Sequence, residues 1–200
     1  MPEESNQSKF ENYSLSFDAG SSQKIDAIVT ALNNATALTF SCWVKKSAGN
    51  IVGIESFNSS TDRVILYWWS DNNIYFSVRN GASSSTASYS LTLYDWNHIV
   101  GTFDGATNTI KLYVNGTLVD TQTGQPSSTS ANLSNNFHIG LSNGSSYNTG
   151  NIDHCCVFDY ALSPKQIKQD IYNASTTGKT ADLNNNSNLT APVAWYRMGD

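Results

Sequence analysis

The groups in this 200-residue chain that could carry covalent or proton-transfer chemistry are sixteen acidic residues, three histidines and three cysteines. General acid/base work needs two carboxylates held close together, and this chain has only four glutamates. Glu3, Glu4 and Glu11 crowd the N-terminus, so Glu55 stands alone. Asp62 and Asp71 flank one strand-like segment and lie too far apart to share a substrate. His98, His138 and His154 fall on three different strand-like segments. Cys155 beside His154 would pair a nucleophile with a base only if neighbours on a strand faced the same way, and they face opposite ways. The reactive residues therefore predict no catalytic set, and we expect a protein that binds.

Cys42, Cys155 and Cys156 cannot form a complete disulfide framework and show no Cys-x-x-Cys spacing, so buried free thiols are expected. The residues best suited to holding a ligand are aromatic. In Tyr67-Trp68-Trp69, period two puts Tyr67 and Trp69 on one face and Trp68 on the other. Asn73, Tyr75 and Arg79 follow on the next strand-like segment. Exposed rings flanked by amides and a guanidinium suit a sugar, so Tyr67, Trp68, Trp69, Asn73, Tyr75 and Arg79 are the candidate carbohydrate-binding residues. The same rings would also serve as packing beneath a covered sheet or against a second subunit.

The elements that must position these residues are strands. Charged residues make up 14% of the chain, against about 25% in ordinary domains, and aromatics 12%. Alternating segments recur: Tyr13 to Phe17, Ala37 to Lys45, Ile51 to Ile54, Arg63 to Trp69, Ile74 to Val78 and Trp96 to Phe103. Thr109 to Val119 reads as a hairpin, because Asn115-Gly116 supplies the two positive φ values of a type I′ turn. Asn136 to Gly140 and Ile152 to Phe158 read as strands, while Gly81 to Ser90 and Gly124 to Ser130 read as exposed loops. Ser163, Pro164 and Gln166 form a capping box for a short helix that docks Ile167 and Ile171 and fades near Asn173. Val193 to Arg197 is a last strand.

The composition excludes some partners. The net charge is −5 and Lys45-Lys46 is the sole adjacent basic pair, so no nucleic acid is expected. The longest apolar stretch, Val64 to Trp69, is too short for membrane insertion. Met1-Pro-Glu-Glu does not read as a secretory signal, so the chain is expected either to be cytoplasmic when made or to have lost its leader.

Four segments together resemble the laminin G-like domains of the concanavalin A-like lectin and glucanase superfamily. They are Leu15 to Gly20, Leu38 to Lys45, Trp96 to Gly105 with Ile110 to Gly116, and Gly150 to Phe158 with Tyr160 to Pro164. The resemblance implies an all-β fold, a two-sheet antiparallel jelly-roll sandwich with one short C-terminal helix, and an inward tryptophan at Trp43. Residues 1–10 would form a tail, 11–174 the sandwich, 175–190 a polar loop or linker and 191–200 a terminal strand. The superfamily includes glycoside hydrolases, whose close pair of glutamates is missing here. Many relatives hold one calcium ion, which the resemblance would place at Asp18, the Gly20 carbonyl and Asp153. The simpler alternative is that Asp18 caps a turn and Asp153 bonds backbone groups.

The ending Leu189 to Asp200 is similar to the tails of laminin G-like domains in marine bacteriophage virion proteins. That implies a non-catalytic virion structural or decoration module, assembled in the bacterial host cytoplasm and contacting other virion proteins. The paired tryptophans imply instead a lectin-like adhesin module that recognises surface glycans. A homo-oligomer is compatible with either role.

Overall fold

The computed structural model describes residues 14–124, 126–173 and 182–198. Tyr13, the N-terminal tail and much of the expected polar linker therefore lie outside the described residues. The strands are β1 Leu15–Phe17, β2 Ile25–Ala27, β3 Ala37–Lys45, β4 Val52–Ser59, β5 Asp62–Trp68, β6 Asn73–Asn80 and β7 Ser83–Ser90. They continue as β8 Asn97–Asp104, β9 Thr109–Val114, β10 Thr117–Thr123, β11 Phe137–Ile139, β12 Leu141–Ser142, β13 Ser146–Tyr147 and β14 Gly150–Phe158. The helix α1, Gln166–Tyr172, and the last strand β15, Ala194–Tyr196, follow.

Two antiparallel sheets form the sandwich. One runs β1-β14-β3-β8-β9-β10, with β15 added end-on to β1 along the same edge of β14. The other runs β2-β11-β4-β5-β6-β7. Strict alternation builds the core between them. Leu38, Phe40, Cys42 and Val44 of β3 point inward to meet Ile54, Leu66, Trp68 and Phe76 of the facing sheet. Each such side chain contributes about 1.5–3 kcal/mol on burial. The β9–β10 hairpin turns at Asn115 (φ 50°) and Gly116 (φ 72°), as a type I′ turn demands.

The outer face of the first sheet is covered by a second apolar layer. Ile167 of α1, Leu162 and Leu183 pack there on Val100, Tyr113, Cys156 and Phe158. The Ser163 backbone N–H donates to Gln166 Oε1 at 2.9 Å and the Gln166 N–H to Ser163 Oγ at 3.3 Å, which completes the capping box. The helix ends in a wide turn, the Asn173 N–H donating to the Lys168 carbonyl. Trp43 belongs to this layer and not to the inter-sheet core. It is buried on the outward face of β3, stacked on Tyr172 of α1 at 5.6 Å and tilted against His98 at 5.2 Å. The expectation of an inward tryptophan is corrected by the phase of β3, whose even-numbered residues take the core. His98 is structural, within 2.8 Å of Ser41 Oγ.

A bulge in β14 decides where its cysteines go. Asp153 pairs with Trp43 but Cys156 pairs with Ser41, and His154 adopts φ 47° between them. Cys155 therefore joins the inter-sheet core and Cys156 the outer layer. All three cysteines are free and buried, and burial raises the Cys155 and Cys156 thiols well above their ordinary range.

Residues 81–90, expected as a loop, are an edge strand. β7 pairs with β6 from Ser83↔Asn80 to Ser90↔Asn73, and only Ala87 is buried. Its backbone is held by β6 and its serines face solvent, so it shows no apolar alternation.

Candidate functional site

The outer face of the second sheet carries the ligand-type residues. Period two along β5 brings Arg63, Ile65 and Tyr67 to that face, and Trp69 follows in the turn. Antiparallel register then sets Tyr75 opposite Tyr67 and Arg79 opposite Arg63. These rings enclose a surface cavity of about 210 Å³, lined along β5 by Arg63, Ile65, Tyr67 and Trp69. Asp71, Tyr75 and Thr86 complete the lining. Six residue steps from Arg63 to Trp69 make the groove roughly 20 Å long. Tyr67 is the floor, its ring 5.2 Å from Trp69 and 6.5 Å from Tyr75, and burial pushes its hydroxyl up to about 12.

Trp68 is not part of this site. It is 0% exposed on the core face, stacked on Tyr94 at 5.7 Å. Asn73 sits at the Trp69 end, where its carbonyl accepts from the Trp69 N–H at 2.8 Å. Of the six candidates, Tyr67, Trp69, Tyr75 and Arg79 share the face, Asn73 supports its turn and Trp68 drops out.

Each end of the groove has its own brace. At the aromatic end, Tyr75 Oη donates to Asp71 Oδ2 at 2.7 Å and the Asn73 N–H donates to Asp71 Oδ1 at 2.9 Å. Burial works to raise Asp71, but these bonds outweigh it and hold the carboxyl below its ordinary value. Behind them lies Lys46, 3% exposed, whose ammonium donates to the Trp69 carbonyl at 2.9 Å and the Asn50 carbonyl at 3.1 Å. It rests 4.9 Å from the Trp68 ring centroid. Burial lowers its pKa.

The other end is walled by the β12–β13 hairpin. Its turn residues Asn143 (φ 54°) and Gly144 (φ 73°) repeat the Asn-Gly signal of β9–β10. Their backbone N–H groups donate to Glu55 Oε2 at 2.6 Å and Oε1 at 3.0 Å. Glu55 is 0% exposed, and burial pushes its carboxyl up to about 7 against the pull of those two bonds and of Arg63. The clamped turn presents Asn143 Oδ1 to Arg63 Nη1 at 2.5 Å, with the guanidinium 5.8 Å from the Phe57 ring centroid. Burial pulls Arg63 below its ordinary value, and the Arg79 charge adds to this against Tyr67 and Glu55.

Glu55 was noted only as a lone carboxylate and Lys46 only as half of a basic pair, and neither Arg63 nor the 143–144 turn was singled out from the sequence. Counting back by two from Tyr67 reaches Arg63, and Asn143-Gly144 is as clear a turn signal as Asn115-Gly116. Glu55 carried no local signal, because its partners lie 88 and 89 residues away.

The residues suggested for calcium are not brought together. Phe17 pairs with Gly150 and Leu15 with Ile152, so Asp18 and Asp153 diverge along β14 by roughly 13 Å. Asp18 caps its own turn, accepting from the Gly20 N–H at 2.9 Å and Ser21 Oγ at 3.0 Å. Asp153 is 0% exposed and accepts from the His154 N–H. The pair does not fit one ion of six to eight oxygen ligands. Among the described residues no three His, Cys, Asp or Glu side chains gather around a metal position.

Two antiparallel sheets closed over one core, with a short C-terminal helix and a groove on the open sheet, define a jelly-roll sandwich of the laminin G-like type. The chain belongs to the concanavalin A-like lectin/glucanases superfamily, whose family model matches residues 18–168. No curated protein matches it. Among solved structures it is similar to a native heptameric SAP-like pentraxin from Limulus polyphemus, at 20% identity and TM-score 0.59 over 84% of each chain. It is also similar to a putative carbohydrate binding protein from Bacteroides ovatus, at 14% identity and TM-score 0.65, over 92% of this chain and 50% of that one. A third is the Ruminococcus gnavus sialidase CBM40 bound to α2,3-sialyllactose, at 12% identity and TM-score 0.59, over 80% of this chain and 96% of that one. At such identities the likeness is one of fold.

Proposed function

We propose that this chain is a non-catalytic glycan-binding module that attaches its carrier to a surface polysaccharide. The observation that carries the reading is the groove on β5 and β6, where Tyr67, Trp69 and Tyr75 converge beside guanidinium and hydroxyl groups. Its lining of aromatic rings with a few polar groups suits a ligand laid along the surface. The Bacteroides ovatus and Ruminococcus gnavus relatives, described as carbohydrate binding and as bound to sialyllactose, support it. Binding without hydrolysis is supported by the state of the carboxylates Glu55 and Asp71. Glu55 is sealed under the 143–144 turn and Asp71 is engaged by Tyr75, so they do not form the close, reachable pair that hydrolysis uses.

The virion setting suggested by residues 189–200 concerns the carrier and is compatible with this reading, since a glycan-binding module on a virion surface would serve attachment. No described helix is long and apolar enough to cross a membrane.

A glycan array with the purified chain, followed by titration of the hits, tests the proposal. Trp69→Ala should weaken binding by about 2 kcal/mol, near thirtyfold, as for a central tryptophan contact, with the melting temperature retained. Absence of binding to every glycan class would sink the reading.

A further inference from the structure

The groove is divided along its length. Tyr67, Trp69 and Tyr75 make one end aromatic, whereas Arg63 makes the other cationic and Arg79 stands directly opposite it across β5 and β6. Like charges in directly opposed positions of an antiparallel pair repel. Both guanidinium groups are only partly exposed, and among the described residues neither is ion-paired to a carboxylate. Arg63 Nη1 is held by Asn143 Oδ1 and Arg79 Nη1 by the Ser60 carbonyl, while the Nε of each is buried without a hydrogen-bond partner.

Among the described residues the nearby acids make no ion pair with them, although the Glu55 charge favours the charged form of Arg63. Both Glu55 oxygens accept from the 143–144 turn. Asp71 accepts from Tyr75 and Asn73 and keeps its charge at the aromatic end, away from the two guanidinium groups, and Asp62 accepts from Ser59 Oγ and the Gly81 N–H. The fold thus holds two partly buried cations at directly opposed strand positions, each steered by a neutral oxygen. A planar anion is the group that answers both forks at once.

We propose that the groove selects acidic oligosaccharides, a sugar carboxylate sitting between Arg63 and Arg79 while the adjoining sugars lie over Tyr67, Trp69 and Tyr75. This rests on the glycan-binding reading above and adds the class of sugar. The four residue steps from Arg63 to Tyr67 put the cationic and aromatic ends roughly 13 Å apart, so a ligand that touches both is longer than one sugar unit. A free monosaccharide acid therefore binds more weakly than an oligosaccharide that carries it.

The test is calorimetric titration at pH 7 with sialyllactose, an oligogalacturonate, neutral lactose and a sulfated disaccharide, using wild type, Arg63→Gln, Arg79→Gln and Trp69→Ala. At least one carboxylated oligosaccharide should bind about tenfold or more tightly than its neutral counterpart, and either Arg→Gln change should erase that preference. The ligand-free melting temperature of both arginine variants should stay level or rise, because the substitution relieves repulsion. Trp69→Ala should weaken acidic and neutral ligands alike. Equal binding of neutral and acidic glycans, unchanged in the arginine variants, would overturn this inference and leave the glycan-binding reading standing. Preference for sulfate over carboxylate would overturn it too, and no binding to any of them would remove both.

Discussion

Glu55 gives the sharpest test of how the groove is held together. It is fully buried on β4, and its carboxyl is raised from 4.5 to about 7, burial being the dominant cause. Since the folded pKa lies above the unfolded one, the folded state holds this proton more tightly than the unfolded chain does. Its stabilisation is fully present below pH 4.5 and is lost as pH rises through 7. The gap, at about 1.4 kcal/mol for each pH unit, amounts to about 3 kcal/mol between pH 4 and pH 8. His138 lies directly opposite Glu55 on β11 and is lowered by burial, so its own contribution runs the other way, with stability rising with pH up to about 6.5. Comparison with Glu55→Gln cancels that background. Urea unfolding of both proteins from pH 4 to 8 should show the wild type losing about 3 kcal/mol relative to the variant, whatever their offset at pH 4. Parallel curves would mean that the two turn N–H groups and Arg63 compensate the buried charge completely, and the reasoning from burial would be wrong.

Two further outcomes test the packing and the metal argument. Gly101 faces Phe76 across the core, where an added Cβ would lie 2.0 Å from the ring, so Gly101→Ala should cost about 1–3 kcal/mol and lower the melting temperature by roughly 2–4 °C for each; an unchanged melt would show that the ring shifts freely. Because β14 separates Asp18 from Asp153, any difference in melting temperature between calcium and chelator should be unaffected by Asp18→Asn, and a calcium-dependent rise abolished by that change would refute the register argument.

The sandwich was legible where alternation and turn chemistry agree. β3 matches its expected span of 37–45, and Asn115-Gly116 turns as its residue types require. β7 was illegible because a strand that buries only Ala87 has no hydrophobic period to read. The outward position of Trp43 was illegible for a different reason. A sheet with a second layer of α1, Leu162 and Leu183 over it buries both faces, so apolar residues appear on both phases of β3 and the tryptophan's side is not decided by pattern alone.

At the groove, period two separated Tyr67 and Trp69 from Trp68, as the burial of Trp68 shows, and the following strand brings Tyr75 into the lining with Arg79 on the same face. What the sequence hid was register. Arg63 becomes significant only when pairing sets it opposite Arg79, and that pairing depends on the turn at 69–73. A one-residue slip would send Tyr67, Arg63 and their neighbours to the core. The Lys46 ammonium, bonded to the Trp69 carbonyl from 23 residues earlier, therefore guards the register as well as the turn. Glu55 does the equivalent for the opposite wall, fixing a turn almost ninety residues later over Arg63. Both are charged residues in a sequence with few of them, and both are buried where a charge is costly. Each of these buried charges fixes a turn that borders the groove, Lys46 the one at Trp69 and Glu55 the one over Arg63, so removing either should disturb the groove's walls before its floor.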